Sequence, residues 1–325
     1  MSALYPVSAW GTEYLVPSLG DETSNDTAFL LTTNQTVTLL SGPPTKPLQL
    51  QSSQELPFYP SLPGGSVQVK TSSPVFLTLY RPGLLLNLIP TASFSSCYLI
   101  YALNSQKNQA LLIVPTAQTN GVYQESTAMT LTWTPMTGTG YSWGLADLGT
   151  EEKRHIIWHN TSIMAAYYLG ETNNKFFGNP ATSLSTDPDS NGCLVKPGLV
   201  KLGDKQQGWI ESLNYCQNLG YNLVSLNTQE VLLSIAKILR ESEVQAHGQG
   251  WIGLRRSSLT GQWYWLTKQN VLFTHWDVDE PGTPMEGQCA MMMLDPHGNY
   301  TWSDQSCCEA LPAVCYKTPI YLSLQ

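Results

Sequence analysis

Up to about residue 180, apolar positions come in short runs rich in Val, Leu, Ile, Thr and Tyr, at 28–32, 36–40, 66–70, 75–80, 84–89, 98–102, 110–114 and 129–133. Turn formers separate them: Gly42-Pro43-Pro44, Pro63-Gly64-Gly65, Arg81-Pro82-Gly83 and Asn120-Gly121. In Ser66-Val67-Gln68-Val69-Lys70 the alternation gives one apolar and one wet face. The spacing predicts a β-rich, sandwich-like domain over 5–180. No helical pattern is found before residue 150.

Residues 181–192 hold hardly an apolar side chain and read as a linker. Beyond residue 199 the period changes. Trp209, Leu213, Cys216 and Leu219 recur at helical spacing, and Gly220 follows as a stop. A second helix is signalled by Asn227 as N-cap with Glu230 three residues on, then a stripe of Val231, Ile235, Ile238 and Leu239. Short strands are expected at 251–254, 263–266, 290–294 and 313–316. Helices followed by strands make an α+β domain over 193–318.

Composition narrows the function classes. Of 325 residues, 42% are hydrophobic and only 12% charged, about half the usual share of roughly 25%. The neutral-polar surface this implies suits an extracellular β protein. A net charge of −8 argues against nucleic acid or an anionic membrane as partner. No run of 18 apolar residues is present, so no membrane span is expected. Met1 to Trp10 does not read as a signal peptide, so secretion implies that one has been removed. Acceptor sequons at Asn25, Asn34, Asn160 and Asn299 point the same way. So do the seven cysteines, six of them between Cys193 and Cys315. No catalytic constellation is found. His155 and His159 lie four apart without the glutamate a zincin needs, and there is no nucleophile elbow, phosphate loop or Cys-x-x-Cys pair. The reading is non-enzymatic.

Residues 199–318 resemble a C-type lectin-like domain. The matching features come in order: Trp209 to Cys216 as first helix, Asn222 to Leu226, the core motif Trp251-Ile252-Gly253-Leu254, and Trp263-Tyr264-Trp265. The long loop follows with Thr274-His275-Trp276 and Glu280-Pro281, then Cys289, Trp302-Ser303-Asp304, Cys307 and Pro312 to Cys315. The resemblance implies disulfides Cys216–Cys315 and Cys289–Cys307. Cys97, Cys193 and Cys308 remain. Cys193–Cys308 is one possible third bridge, and Cys97 with either would tie the two domains together. Val7 to Pro17, and more loosely 98–102 and 110–115, resemble the N-terminal domain of the IgG-Fc-binding protein family. That likeness implies a β-rich extracellular domain and carries no binding residue across.

In sugar-binding members of the lectin family, a Glu-Pro-Asn or Gln-Pro-Asp triplet, an acidic residue near the third-strand cysteine and a Trp-Asn-Asp triplet hold calcium. This chain keeps Glu280 and Asp304, has Gly282 and Ser303 where amides or carboxylates are needed, and has Glu286 one position off. Calcium takes 6–8 oxygens, so Glu280, Glu286 and Asp304 make a poor set. Pro281 is the candidate for a cis proline that orders the loop without metal. The expected function is recognition of a glycan or glycoprotein through Trp276, Asp277, Asp279, Glu280, Glu286, Ser303 and Asp304, with weak or no calcium dependence. The alternatives are a self-associating matrix, coat or filament subunit, and a calcium-dependent lectin with an atypical site.

Overall fold

The computed structural model describes residues 9–17, 28–33, 36–41, 49–50, 56–58, 67–81, 83–173, 175–241, 248–283, 285, 287–294 and 299–323. The chain divides into two compact units. One holds Met1–Val195 and Tyr321–Gln325, the other Lys196–Ile320. The lectin-like unit is thus inserted near the end of the first. Among the described residues, no helix is long and apolar enough to cross a membrane.

The first unit is a stack of three antiparallel sheets. Its middle sheet runs, in order, Thr134–Met136, Tyr141–Gly149, Lys107–Pro115, Ala165–Thr172 and Lys175–Pro180. Leu111 and Ile113 of the central strand, with Ala165 and Tyr167 beside them, pack on Tyr14, Val75, Leu77 and Leu86 of the N-terminal sheet. The alternate positions, Ala110, Leu112, Val114, Ala166 and Tyr168, pack on Tyr98, Ile100, Val122 and Ile157 of the third sheet. A strand covered on both faces must be apolar at successive positions. That is why 110–114 reads as an unbroken apolar run. The sandwich-like expectation holds, with a third layer added.

Three expectations change in detail. The runs at 66–70 and 75–80 are one strand, Val67–Arg81. Glu13 pairs with Lys70 but Gly11 with Val75, so the strand bulges through Thr71 to Pro74, where proline's missing N–H does no harm. Its first half pairs with Gly11–Val16 and Val37–Ser41, its second with Ala28–Thr32 and Leu84–Asn87. Residues 129–133 form no strand, although Met129, Leu131 and Trp133 do pack on the core. The segment 181–192 is no free linker, because Thr182–Ser185 pair with Cys97–Ala102 at the edge of the third sheet.

On that sheet's outer face Cys97, Ile156 and Trp158 cluster with Leu184, and with Cys193 and Leu322 of a separate two-stranded ladder. Cys193 is bonded to Cys97, so the possible Cys193–Cys308 bridge is corrected. Both cysteines belong to the first unit, so their bond does not tie the units together. Cys308 is exposed and unpaired.

His155 and His159 lie on one strand, Lys153–His159, and both are buried. His159 Nε2–H donates to Gln118 O at 2.7 Å, and Nδ1 accepts from the N–H groups of Thr161 and Ser162 at 3.2 and 3.1 Å. These partners suit only neutral imidazole. Burial lowers the pKa of both histidines, for His155 against the opposing pull of Glu125. Gly121 leaves room for His159, since a Cβ there would lie 2.2 Å from Cε1.

In the second unit the helices are Trp209–Asn218 and Gln229–Glu241. The first ends where Gly220 takes φ 72°, the left-handed conformation that stops a helix. The second is capped by Thr228, whose Oγ1 accepts from Val231 N–H at 3.2 Å. The expected cap, Asn227, is one residue early. Its buried stripe is Leu232, Ile235, Ala236 and Leu239. One sheet orders Leu199–Leu202, Val314–Lys317 and Asn222–Leu223, the other Trp263–Trp265, Gln249–Arg256, Cys289–Met293 and Trp302–Gln305. Cys216–Cys315 and Cys289–Cys307 are both formed.

Two predictions follow from these features. Cys216–Cys315 spans 99 residues. Replacing both cysteines with Ser should lower the unit's unfolding free energy by about 4–5 kcal/mol in the chain-entropy model, while Cys308→Ser should leave it unchanged; denaturant titration reads both. A histidine whose folded pKa is lowered contributes stability above its unfolded value, about 6.5, and that stability is lost as pH falls below it. The first unit's melting temperature should therefore drop between about pH 7.5 and 5.5, and a His155→Gln, His159→Gln double variant should show a flatter profile.

Candidate functional site

The core motif sets the platform. Trp251, Ile252 and Leu254 are fully buried. Trp209 Nε1–H donates to Ile252 O at 2.8 Å, and Trp251 Nε1–H to Gln207 O at 2.9 Å. Gly253 is required because a Cβ would meet Leu223 O at 2.8 Å. Its N–H instead donates to Val224 O at 2.7 Å. The strand so fixed ends in Arg256, whose N–H bonds Gln288 O at 2.9 Å, where the long loop rejoins the sheet.

The base of the loop is aromatic. Trp302 and Trp265 are completely buried and meet edge to face, centroids 5.4 Å apart. Trp276 packs on Trp302 at 5.7 Å and on Trp263 at 4.9 Å, and Phe273 meets Trp302 at 5.8 Å. Backbone bonds pin the same point. Trp302 N–H donates to His275 O at 2.9 Å and Asp277 N–H to Trp302 O at 2.8 Å. Trp276 is thus half-buried, and a ligand could reach only its outer part.

The polar candidates divide into two groups. Asp277 and Asp279 are exposed. Asp277 accepts from Val278 N–H at 2.8 Å and from Thr301 Oγ1 at 3.2 Å. Glu280 and Asp304 meet at the loop's root, joined to it by the cis Glu280–Pro281 bond. Asp304 N–H donates to Glu280 Oε2 at 3.3 Å. Burial, and then the neighbouring Asp304 carboxyl, push the Glu280 pKa up. Ser303 is buried beside Asp304 on the same strand. Glu286 lies outside the described residues. Three apolar side chains in the same stretch of chain are almost fully exposed: Leu272, Val278 and Met285, at 88%, 84% and 95%. Asn299 is exposed and Asn160 half-buried; Asn25 and Asn34 lie outside the described residues.

Arg256 was missed altogether. It is 7% exposed, lies 4.8 Å over the Trp263 ring, and donates from Nη2 to Gly282 O at 2.8 Å. Gly282 N–H in turn donates to Asp304 Oδ1 at 2.8 Å. The signal was there in the alternation: Arg256 is in phase with the buried Ile252 and Leu254.

The described residues do not fit calcium. They bring two carboxylates together where the ion takes 6–8 oxygens, and no group of three or more His, Cys, Asp or Glu converges among them. One oxygen of Asp304 is committed to Gly282 N–H, and the Gly282 carbonyl to a guanidinium.

Comparison with known proteins accounts for both units. The lectin C-type domain profile matches residues 205–317, and the IgGFc binding protein profile matches residues 1–170. Human IgGFc-binding protein is 26% identical over 181 residues, 49% of this chain and 3% of that protein. Human C-type mannose receptor 2 is 28% identical over 116 residues, 34% of this chain and 7% of that protein. Human lymphocyte antigen 75 is 33% identical over 109 residues, 34% of this chain and 6% of that protein. The chain therefore spans only a small part of each relative's length. Among solved structures, human lithostathine aligns with 38% of this chain and 93% of its own at 25% identity, with a TM-score of 0.34. With more than half of its length matched by the IgGFc binding protein profile, the chain belongs to the IgGFc binding protein family, and it carries a lectin C-type domain in its C-terminal part.

Proposed function

We infer that this chain is an extracellular, non-enzymatic recognition protein that binds a glycan or glycoprotein through the long loop of its lectin domain, without requiring calcium. The observation that carries the reading is the contrast within the loop. Its base is fixed by buried tryptophans, while Val278 stands almost fully in water between the exposed Asp277 and Asp279, and Leu272 and Met285 on either side of them in the chain are as exposed. Apolar side chains held out on a rigid support are the usual mark of a contact surface. Three disulfides suit an oxidising compartment.

Charge narrows the ligand. From Lys268 to Lys317 the intervening sequence contains seven Asp and Glu and no Lys or Arg. A surface of one sign repels ligands of that sign. Neutral glycans, and glycoproteins whose contact surface is neutral or basic, fit this loop. Sulfated and sialylated glycans do not.

A glycan and glycoprotein array probed with the whole chain, in calcium and in EDTA, tests this directly. Binding should fall on neutral ligands and be equal in the two buffers. Val278→Ser with Met285→Ser should weaken it about tenfold, the scale of one well-packed contact, with no change in melting temperature. Binding confined to the calcium arm, or to sulfated ligands, would remove the reading.

A further inference from the structure

We propose that Arg256 holds the long loop in the position that a metal ion would otherwise have to secure. The Gly282 backbone is held at both its N–H and its carbonyl. Its carbonyl accepts from Arg256 Nη2 at 2.8 Å, and its N–H donates to Asp304 Oδ1 at 2.8 Å. Asp304 N–H continues the chain to Glu280 Oε2 at 3.3 Å. Both gripping residues are on strands of the same sheet. Arg255, Cys289 and Gln305 are register partners across three strands, so Arg256 and Asp304 each sit one position from that rung. A single residue at the tip of the Glu280-Pro281-Gly282 turn is thereby fastened to two rigid strands.

Three features fit a built fastening rather than a chance contact. Arg256 and Asp304 are 7% and 6% exposed, and a charged side chain is rarely buried so far without a specific partner. The guanidinium lies over the Trp263 ring, 4.8 Å from its centroid, a cation–π contact that helps fix where its donors point. Arginine also keeps its charge at every working pH. The same charge opposes entry of a divalent cation at this point. Arg256 Nε and Nη1 and Asp304 Oδ2 are buried with no hydrogen-bond partner, so the fastening rests on the Gly282 contacts named above. Arg256 is a positioning residue in this scheme, and the scheme holds whatever the loop binds.

Hydrogen exchange on the whole chain, read by mass spectrometry over residues 277–283, tests it without any ligand. In the wild type, exchange there should be the same in calcium chloride and in EDTA. Arg256→Gln should speed it about tenfold or more, as expected when one charge-assisted hydrogen bond is lost. Exchange over 251–254 should stay as in the wild type, and Arg256→Lys should restore part of the protection. If Arg256→Gln does not fold, Arg256→Met, which refills the buried space without the donor, carries the same comparison. Unchanged loop exchange in the folded variant would overturn the proposal. So would wild-type loop exchange that slows when calcium is added. Because no sugar or protein ligand is present, either failure is distinct from failure of the recognition reading.

Discussion

The lectin unit depends on keeping water away from one aromatic junction. Trp302 lies where a sheet strand, the root of the long loop and the end of Trp263–Trp265 converge, and its backbone bonds the loop on both sides of Trp276. A loop of this length costs conformational entropy to order. Large rings stacked in the core offset that cost with buried area and edge-to-face contacts. With its root immobile, the distal part of the loop can expose apolar side chains without collapsing onto the sheet. Rigidity below and exposure above are two sides of one packing solution.

The first unit meets a different constraint. Its middle sheet is covered on both faces, so neither face can be polar. The strands Lys107–Pro115 and Ala165–Thr172 answer with successive apolar residues, and buried tyrosine hydroxyls find specific acceptors. Tyr98 OH donates to Met164 O at 2.8 Å, and burial pushes its pKa up to about 12. Tyr168 OH likewise donates to Asn108 Oδ1 at 2.5 Å. The low share of charged residues follows from the same geometry, since a three-layer stack leaves fewer strand positions facing solvent than two layers do.

Much of this was legible residue by residue. The second helix was visible in its 3.6-residue stripe, because an amphipathic helix must keep one face dry. Its cap was misplaced because Asn227 and Thr228 are both good caps, and only the backbone path chooses between them. At 129–133 the alternation correctly reported which side chains face the core. It could not report hydrogen bonding, and no ladder forms there. The partner of Cys193 stayed open between Cys308 and Cys97 because connectivity is a tertiary fact, and the fold brings it to Cys97. In the site, Glu280 and Asp304 do come together as the lectin resemblance implied. Arg256 escaped notice because adjacent arginines look like a wet strand end unless alternation is counted from the buried Ile252.

Cys193–Lys196 pairs with Ile320–Leu322, so the polypeptide departs for the lectin unit and comes back at neighbouring points of one small ladder. That arrangement makes the lectin unit an interchangeable cartridge. Its sequence could diverge, or be exchanged for another module with closely spaced ends, while the disulfide-braced host kept its own hydrogen bonds.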